Sequence, residues 1–222
     1  MGKITSRYYF FIAILLVLAY QYLSGLVLYS DFALGLSDFG YYLSDMMLHF
    51  LVVFIAFFAM VKSGKWQGIN SKKFRWSYLF YCVLAFLLLF LWNRVTFSLF
   101  PPTRNAISYQ HYAPTFTGAT AFLMFFLYPV IMAPIFEEIM YRGLVMTVLE
   151  KGKKWGLDVL GSAVLFGVLH ISNHGWVLTD FFVYMGGGLI FATLFRVTKS
   201  IYWPIGLHIV YNGIGQILML LH

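Results

Sequence analysis

The chain has 222 residues, of which 61% are hydrophobic and 10% are charged, and its mean hydropathy is +0.81. Because soluble domains carry about 25% charged residues, this composition excludes a water-exposed globular fold. The net charge of +7 comes mainly from short loops between apolar runs. That placement indicates membrane topology and contact with lipid headgroups, and it argues against nucleic-acid binding.

Seven apolar runs follow one another along the chain. They cover residues 8–28, 43–61, 76–100, 118–148, 157–173, 177–195 and 201–221. About 20 apolar residues cross the hydrocarbon core of a bilayer. We therefore expect an all-α membrane protein of about seven transmembrane helices, forming a single transmembrane domain over residues 1–222. The first run is too long for the apolar region of a signal peptide, so we interpret it as a retained helix.

Positive charges occur in every second loop between these runs. The positive-inside rule therefore predicts that the amino-terminal end lies inside and the carboxyl-terminal end outside. The basic residues that carry this prediction are Lys3, Arg7, Lys62, Lys65, Lys72, Lys73, Arg75, Lys151, Lys153, Lys154, Arg196 and Lys199.

The fourth run is too long for one straight crossing, and Pro129 and Pro134 interrupt it. Each proline removes a backbone donor, so we predict that the helix is broken near Ala133 and restarts with Pro134 in its first turn. Non-helical backbone at membrane depth occurs where it is buried in protein or lines a wet cavity. In the sixth run, the glycines at 186–188 predict close approach of another helix.

Ionisable residues within these apolar runs are costly, so they usually face a partner or a cavity. On a helix, Glu138 and Arg142 are i,i+4 neighbours that can pair, whereas Glu137 points about 100° away from them. A carboxylate without a local counter-ion suits a general base. The alternative is that the three residues only neutralise one another and stabilise the helix.

Two later helices each carry a histidine: His170 follows Phe166 by one turn, and His208 precedes Asn212 by one turn. At ~1.5 Å per residue, these side chains and Glu137 lie roughly 14–24 Å from the nearest basic loop, within one layer of about 10 Å. The spacing predicts one shared site between three helices. A lone membrane histidine is more often a structural hydrogen-bonding residue, and this reading stays open for each histidine.

Three short motifs stand in order on successive helices: Glu137-Glu138 with Arg142, Phe166 with His170, and His208 with Asn212. Together they resemble the CAAX-protease and bacteriocin-processing family of intramembrane proteases, over residues 118–215. The resemblance implies a peptidase in which Glu137 and His170 activate a water. It also implies that His208 and Asn212 stabilise the oxyanion, with Glu138 and Arg142 in support.

The resemblance leaves the cofactor open. Two histidines and a carboxylate would suit a divalent metal such as zinc, with Glu137, His170 and His208 as ligands. The same groups can activate water without a metal, and no His-Glu-x-x-His pattern requires zinc.

We therefore predict an endopeptidase of the bacterial cell membrane that cleaves a membrane-associated protein or peptide precursor from the inward-facing half of the bilayer. The resemblance suggests prenylated proteins, bacteriocin or pheromone precursors, or bacteriocin immunity, and the sequence does not choose among them. The alternative is a non-enzymatic scaffold that serves immunity or regulates a partner membrane protein such as a sensor kinase. A transporter would also use midplane charges, but no repeat or paired broken helices support it.

Overall fold

The computed structural model describes residues 35–62, 74–112, 117–172 and 175–220, together with the isolated positions 8, 15 and 19. The first predicted span, 8–28, lies almost entirely outside these residues, as does the amino-terminal basic pair. The described part of the chain is helical and contains no β-strand.

Six of the predicted spans correspond to helices whose bounds differ from the prediction by a few residues. A short helix in the loop after the second described helix was not predicted. The helices are α1 (Asp38–Lys62), α2 (Trp76–Leu99), α3 (Arg104–Tyr112), α4 (Gly118–Val148), α5 (Leu157–Ser172), α6 (Leu178–Thr198) and α7 (Tyr202–Leu220). A 3₁₀ turn, Glu150–Trp155, connects α4 to α5.

Three of these helices, α2, α4 and α6, are long and apolar enough to cross a membrane, and the shorter apolar segments Phe39–Ile55 and Leu157–Ser172 accompany them. In α2, only Ala85, Leu89 and Thr96 are buried, whereas large apolar side chains cover most of the rest of its surface. An apolar surface of this extent belongs in lipid rather than in water. The chain is an integral membrane protein, while the count of seven spans and their orientation stay predictions.

The predicted break in α4 is wrong. Backbone angles at Met132 and Ala133 are helical, and α4 continues from residue 118 to 148 through two π-helical segments, Leu123–Met132 and Ile139–Val145. The amide of Ala133 donates to the carbonyl of Tyr128, five residues earlier. Because a π-helical turn is wider than an α-helical turn, it accommodates the prolines without ending the helix.

The helices bury two apolar clusters, one on each side of the polar residues. The first joins α1, α4 and α5 through Val53, Phe136, Met140, Tyr141, Val145, Phe166 and Leu169. The second joins α2, α6 and α7 through Ala85, Leu89, Phe191, Leu194 and Leu207. Carbon atoms of α5 lie so close to α6 that a methyl group at Gly188 would meet the Cα atom of Ala163 at 3.1 Å. The glycine-rich stretch therefore packs against another helix, as predicted.

Candidate active site

Glu138 and Arg142 form a fully buried ion pair inside the bundle. The Nε atom of Arg142 lies 3.1 Å from Oε2 of Glu138, and both side chains are 0% exposed. Arg142 also donates from Nη2 to the carbonyl oxygen of Gly188 on α6 at 3.1 Å. Its guanidinium lies 4.9 Å from the ring centre of Phe166 and 5.3 Å from that of Phe191. These rings add cation–π attraction where water cannot solvate the charge.

His208 extends this pair to α7. Its Nδ1 atom lies 3.0 Å from Oε1 of Glu138, and its ring stacks on Phe191 with centres 4.4 Å apart. Because a carboxylate paired with arginine accepts hydrogen bonds, Nδ1 of His208 carries the proton. Arg142, Glu138 and His208 thus form a continuous polar chain from α6 through α4 to α7, which we call the buried triad.

Glu137 points away from the buried triad toward a cavity of about 950 Å³. Its Oε2 atom lies 3.8 Å from Nε2 of His208, and its Oε1 atom lies 3.8 Å from Nε2 of His170. About a fifth of the side chains of Glu137 and His170 is exposed, whereas Glu138 has no exposed surface. The two adjacent glutamates therefore differ as predicted: Glu138 pairs with Arg142, and Glu137 faces the cavity.

His170 is oriented by its own helix and by two aromatic rings. Its Nδ1 atom lies 2.8 Å from the carbonyl oxygen of Phe166, and since a carbonyl only accepts, Nδ1 carries the proton. Phe166 and Tyr184 both pack against it, each with its ring centre 4.3 Å from that of His170. The Nε2 lone pairs of both histidines thus point toward the Glu137 carboxylate when the imidazoles are neutral.

Asn212 also lines the cavity, but one of its N–H groups is already in use. Its Nδ2 atom donates to the carbonyl oxygen of Pro129 at 2.8 Å. In the π-helical pattern of α4, that carbonyl would accept from residue 134, which is a proline without an N–H. Asn212 therefore satisfies the acceptor that Pro134 leaves open, and the second N–H of its amide remains for another partner.

The cavity is closed on one side by α3, which sequence reasoning missed. Tyr109 of α3 donates to the carbonyl oxygen of Met124 at 3.1 Å and accepts from Gln216 of α7. Burial raises the pKa of Tyr109 to about 12, so its hydroxyl keeps its proton. Gln216 follows Asn212 by one turn and is the third polar residue on that face of α7. This pattern in the sequence could have indicated a polar partner for α7.

The trio of Glu137, His170 and His208 has the donor chemistry of a zinc site. In each histidine, Nδ1–H is bound to a carbonyl or carboxylate, which is the usual second hydrogen bond of a metal-ligating histidine. The observed spacing is less suitable. No group of three or more His, Cys, Asp or Glu side chains is close enough to hold a metal among the described residues. A second acid–histidine pair, Asp45 and His49 on α1, is 3.5 Å apart and lies near Tyr128.

The fold and site define a helical membrane protein with a carboxylate and two imidazoles facing one cavity. Residues 119–214 match the family described as type II CAAX prenyl endopeptidase Rce1-like. A stretch of 90 residues is 32% identical to the putative membrane peptidase YdiL of Bacillus subtilis (strain 168). That stretch covers 40% of this chain and 35% of the relative. No solved structure matches the chain.

The match over residues 119–214 supports the resemblance to the CAAX-protease and bacteriocin-processing family that the three motifs predicted. All seven motif residues lie in this segment, and the structure brings Glu137, His170, His208 and Asn212 to one cavity. Their catalytic roles stay predictions.

Proposed function

We propose that the chain is an intramembrane endopeptidase that hydrolyses a peptide bond of a membrane-associated protein or peptide precursor. One observation carries the proposal. Three hydrogen-bond acceptors, the Glu137 carboxylate and two imidazole Nε2 atoms, face one another across 3.8 Å contacts in a cavity. Mutually facing lone pairs repel unless a donor or a cation lies between them. A water molecule supplies two donors, and the same acceptors can take its proton.

The proposed reaction begins with a water held by Glu137 and His170. As the water oxygen attacks the carbonyl carbon of the scissile bond, one proton passes to Glu137. The carbon–nitrogen bond then breaks, and the same proton passes from Glu137 to the leaving amine. Water is consumed, and a carboxyl and an amino end are formed. General acid–base steps of this kind contribute about 10²–10⁴-fold to rate.

In the proposed reaction, His208 and Asn212 of α7 stabilise the oxyanion. A neutral His208 cannot donate from Nε2, because its proton lies on Nδ1 against Glu138. His208 would therefore donate to the oxyanion only when Nε2 also carries a proton. The second N–H of Asn212 is the other donor. The contact with Glu138 gives the buried triad a role in orienting the His208 ring.

If the enzyme uses zinc, Glu137, His170 and His208 would hold it, and it would polarise the carbonyl and lower the pKa of a bound water. Glu137, His170 and His208 have the same positions in the zinc mechanism and in the metal-free mechanism. Metal content of the purified protein, measured by mass spectrometry before and after chelation, separates the two mechanisms when read beside activity.

The test is cleavage of a labelled peptide library by the purified protein, with Glu137→Gln as the matched variant. We expect wild-type cleavage at defined bonds and loss of cleavage in the variant. Equal cleavage by both proteins would show that a contaminating peptidase is responsible.

A non-enzymatic scaffold, immunity protein or sensor-kinase regulator is the second candidate. The observation that favours it is the buried triad, which links three helices and would stabilise a scaffold equally well. A scaffold has no use for a proton acceptor at Glu137. Full biological function of Glu137→Gln, beside loss of function in Arg142→Ala, would select this alternative.

A further inference from the structure

Most basic residues of the described chain gather at one end of the helix bundle, whereas Arg94 and Arg104 lie toward the other end. Arg196, near the end of α6, lies 3.2 Å from Asp158 at the start of α5 and donates to the carbonyl oxygen of Lys153. At the start of α2, the rings of Phe74 and Tyr78 lie 6.0 and 6.2 Å from that of Trp203, which begins α7. These contacts place Arg75, the lysines at 151–154, Arg196 and Lys199 together.

The cavity lies toward the other end of the bundle. Apart from Phe191, the motif residues and a few residues near the helix centres, the long helices that line it contribute side chains from the half away from their basic ends. These residues are Tyr42 of α1; Trp92, Asn93, Thr96 and Phe97 of α2; Met124 and Tyr128 of α4; and Val183 and Tyr184 of α6. The loop at 101–103 and α3, which follow the non-basic end of α2, complete the wall.

The rim helix α3 is bound to its neighbours at this end of the bundle. The backbone amide of Arg104 donates to Asp180 of α6 at 2.8 Å, and the hydroxyl of Thr103 lies 3.2 Å from that of Tyr184. Tyr109 contacts α4 and α7, as described above. The rim is therefore a fixed wall beside the cavity, and its sequence is polar.

The lining chemistry suits peptide backbone. Between the rim and Glu137, the wall carries amide and hydroxyl side chains, and none of its residues is a lysine, an arginine or an aspartate. Neutral donors and acceptors can pair with the N–H and C=O groups of an extended chain. The Glu137 carboxylate disfavours acidic residues near the scissile bond, because like charges repel in a low-dielectric site.

Basic loops stay on the cytoplasmic side of a membrane. Together with the position of the cavity, this rule leads to one inference, which rests on the proposed peptidase function. We propose that the site is reached from the extracytoplasmic side, past α3, and that its substrates are extended, non-acidic polypeptide segments exposed on that side. The access side is opposite to the inward-facing half that the sequence predicted.

Cysteine labelling tests the access side without requiring any cleavage. Gln110 on the rim and Lys151 at the basic end are both exposed, so Gln110→Cys and Lys151→Cys form a matched pair. The parent chain has a single cysteine, Cys82, which gives the background and can be replaced by alanine. With a membrane-impermeant maleimide on intact cells, we expect labelling of Gln110→Cys only, and labelling of Lys151→Cys after permeabilisation. The reverse pattern overturns the proposal.

Ser108→Cys tests the route into the cavity itself, because Ser108 is half-buried and lines the wall. A small cationic methanethiosulfonate should modify it from the same side as Gln110→Cys. Modification only from the Lys151 side would overturn the proposal even if the first pair behaves as expected.

Sealed proteoliposomes of known orientation separate this proposal from the peptidase function. Cleavage of a peptide supplied on the Gln110 side supports both the proposed access side and the peptidase function. Cleavage only from the Lys151 side rejects the proposed access side and leaves the peptidase function supported. If no peptide is cleaved from either side while labelling follows the expected pattern, the peptidase function fails and the access side stands.

Discussion

Glu137 and Glu138 are adjacent in the chain and chemically identical, yet they occupy opposite environments. Glu138 has no exposed surface and contacts Arg142 at 3.1 Å and His208 at 3.0 Å. Glu137 faces the cavity, and its nearest ionisable neighbours are two imidazoles at 3.8 Å. The helical rotation of about 100° between consecutive residues produces this difference. The Glu138 carboxylate belongs to a structural ion pair, whereas the Glu137 carboxylate is available to exchange a proton.

The largest expected effect concerns Glu137. Glu137→Gln is nearly isosteric and removes a charge that is costly to bury, so stability should be unchanged or higher. Because the amide cannot accept the proton of the attacking water, peptide cleavage should fall by about 10²–10⁴-fold. Turnover and thermal unfolding in detergent, measured on the same preparation, check both parts.

Glu138→Gln is the control, since it makes the same chemical change one residue later. It should lower stability, because Arg142 loses its counter-ion inside the bundle. If Glu138→Gln keeps its stability and loses activity while Glu137→Gln keeps activity, the two roles are reversed.

Arg142→Ala removes the cation of the buried triad and leaves Glu138 without its ion-pair partner. Breaking a buried pair from one side costs about 3–5 kcal/mol. We expect a lower unfolding temperature and a lower membrane yield, together with lost activity. A variant with wild-type stability would show that Arg142 is not needed for the fold.

Gly188→Ala tests the helix contact that brings α6 to the triad. The added methyl group would meet backbone atoms of Ala163 at 3.1 and 3.3 Å and displace the carbonyl that accepts from Arg142. Overpacking of this kind costs about 1–3 kcal/mol. Gly187→Ala is the matched control, since its methyl group would meet only Leu89, at 3.9 Å. Equal unfolding temperatures for the two variants would contradict the close packing.

The smallest expected effect concerns Asn212. Asn212→Ala removes the donor to the Pro129 carbonyl, and a hydrogen bond between membrane helices contributes about 0.6–2 kcal/mol. Asn212→Leu restores volume without the donor. A shared loss of stability in both variants assigns the effect to the hydrogen bond, whereas a loss in Asn212→Ala alone assigns it to the space left behind.

Much of the fold could be predicted from the sequence, because the length and composition of each apolar run act locally. Runs of about 20 apolar residues predict helices wherever the chain lies in lipid, and six of them match described helices within a few residues. The predicted helix break at the prolines was wrong, because it considered only the local loss of a donor. Pro134 does remove a donor, but the π-helical turn and Asn212, which is 78 positions later, accommodate the loss together.

Part of the candidate site could also be predicted from the sequence. Helical periodicity alone separated Glu137 from Glu138 and paired the latter with Arg142, because i and i+4 side chains always share a face. The three motifs indicated the family. The contacts of His208 with both glutamates, the stacking of Tyr184 on His170 and the rim formed by α3 join residues distant in the chain, and no local pattern specifies them.

From the sequence we predicted a helical membrane protein, the positions of six described helices, the resemblance to a protease family and the difference between two adjacent glutamates. Each of these follows from length, composition, short motifs or a fixed helical rotation. The packing of the helices was needed to show which nitrogen of each histidine faces Glu137, and that the cavity lies away from most of the basic residues. Counting residues along one helix gives a depth, but the direction in which a cavity opens depends on how several helices pack around it.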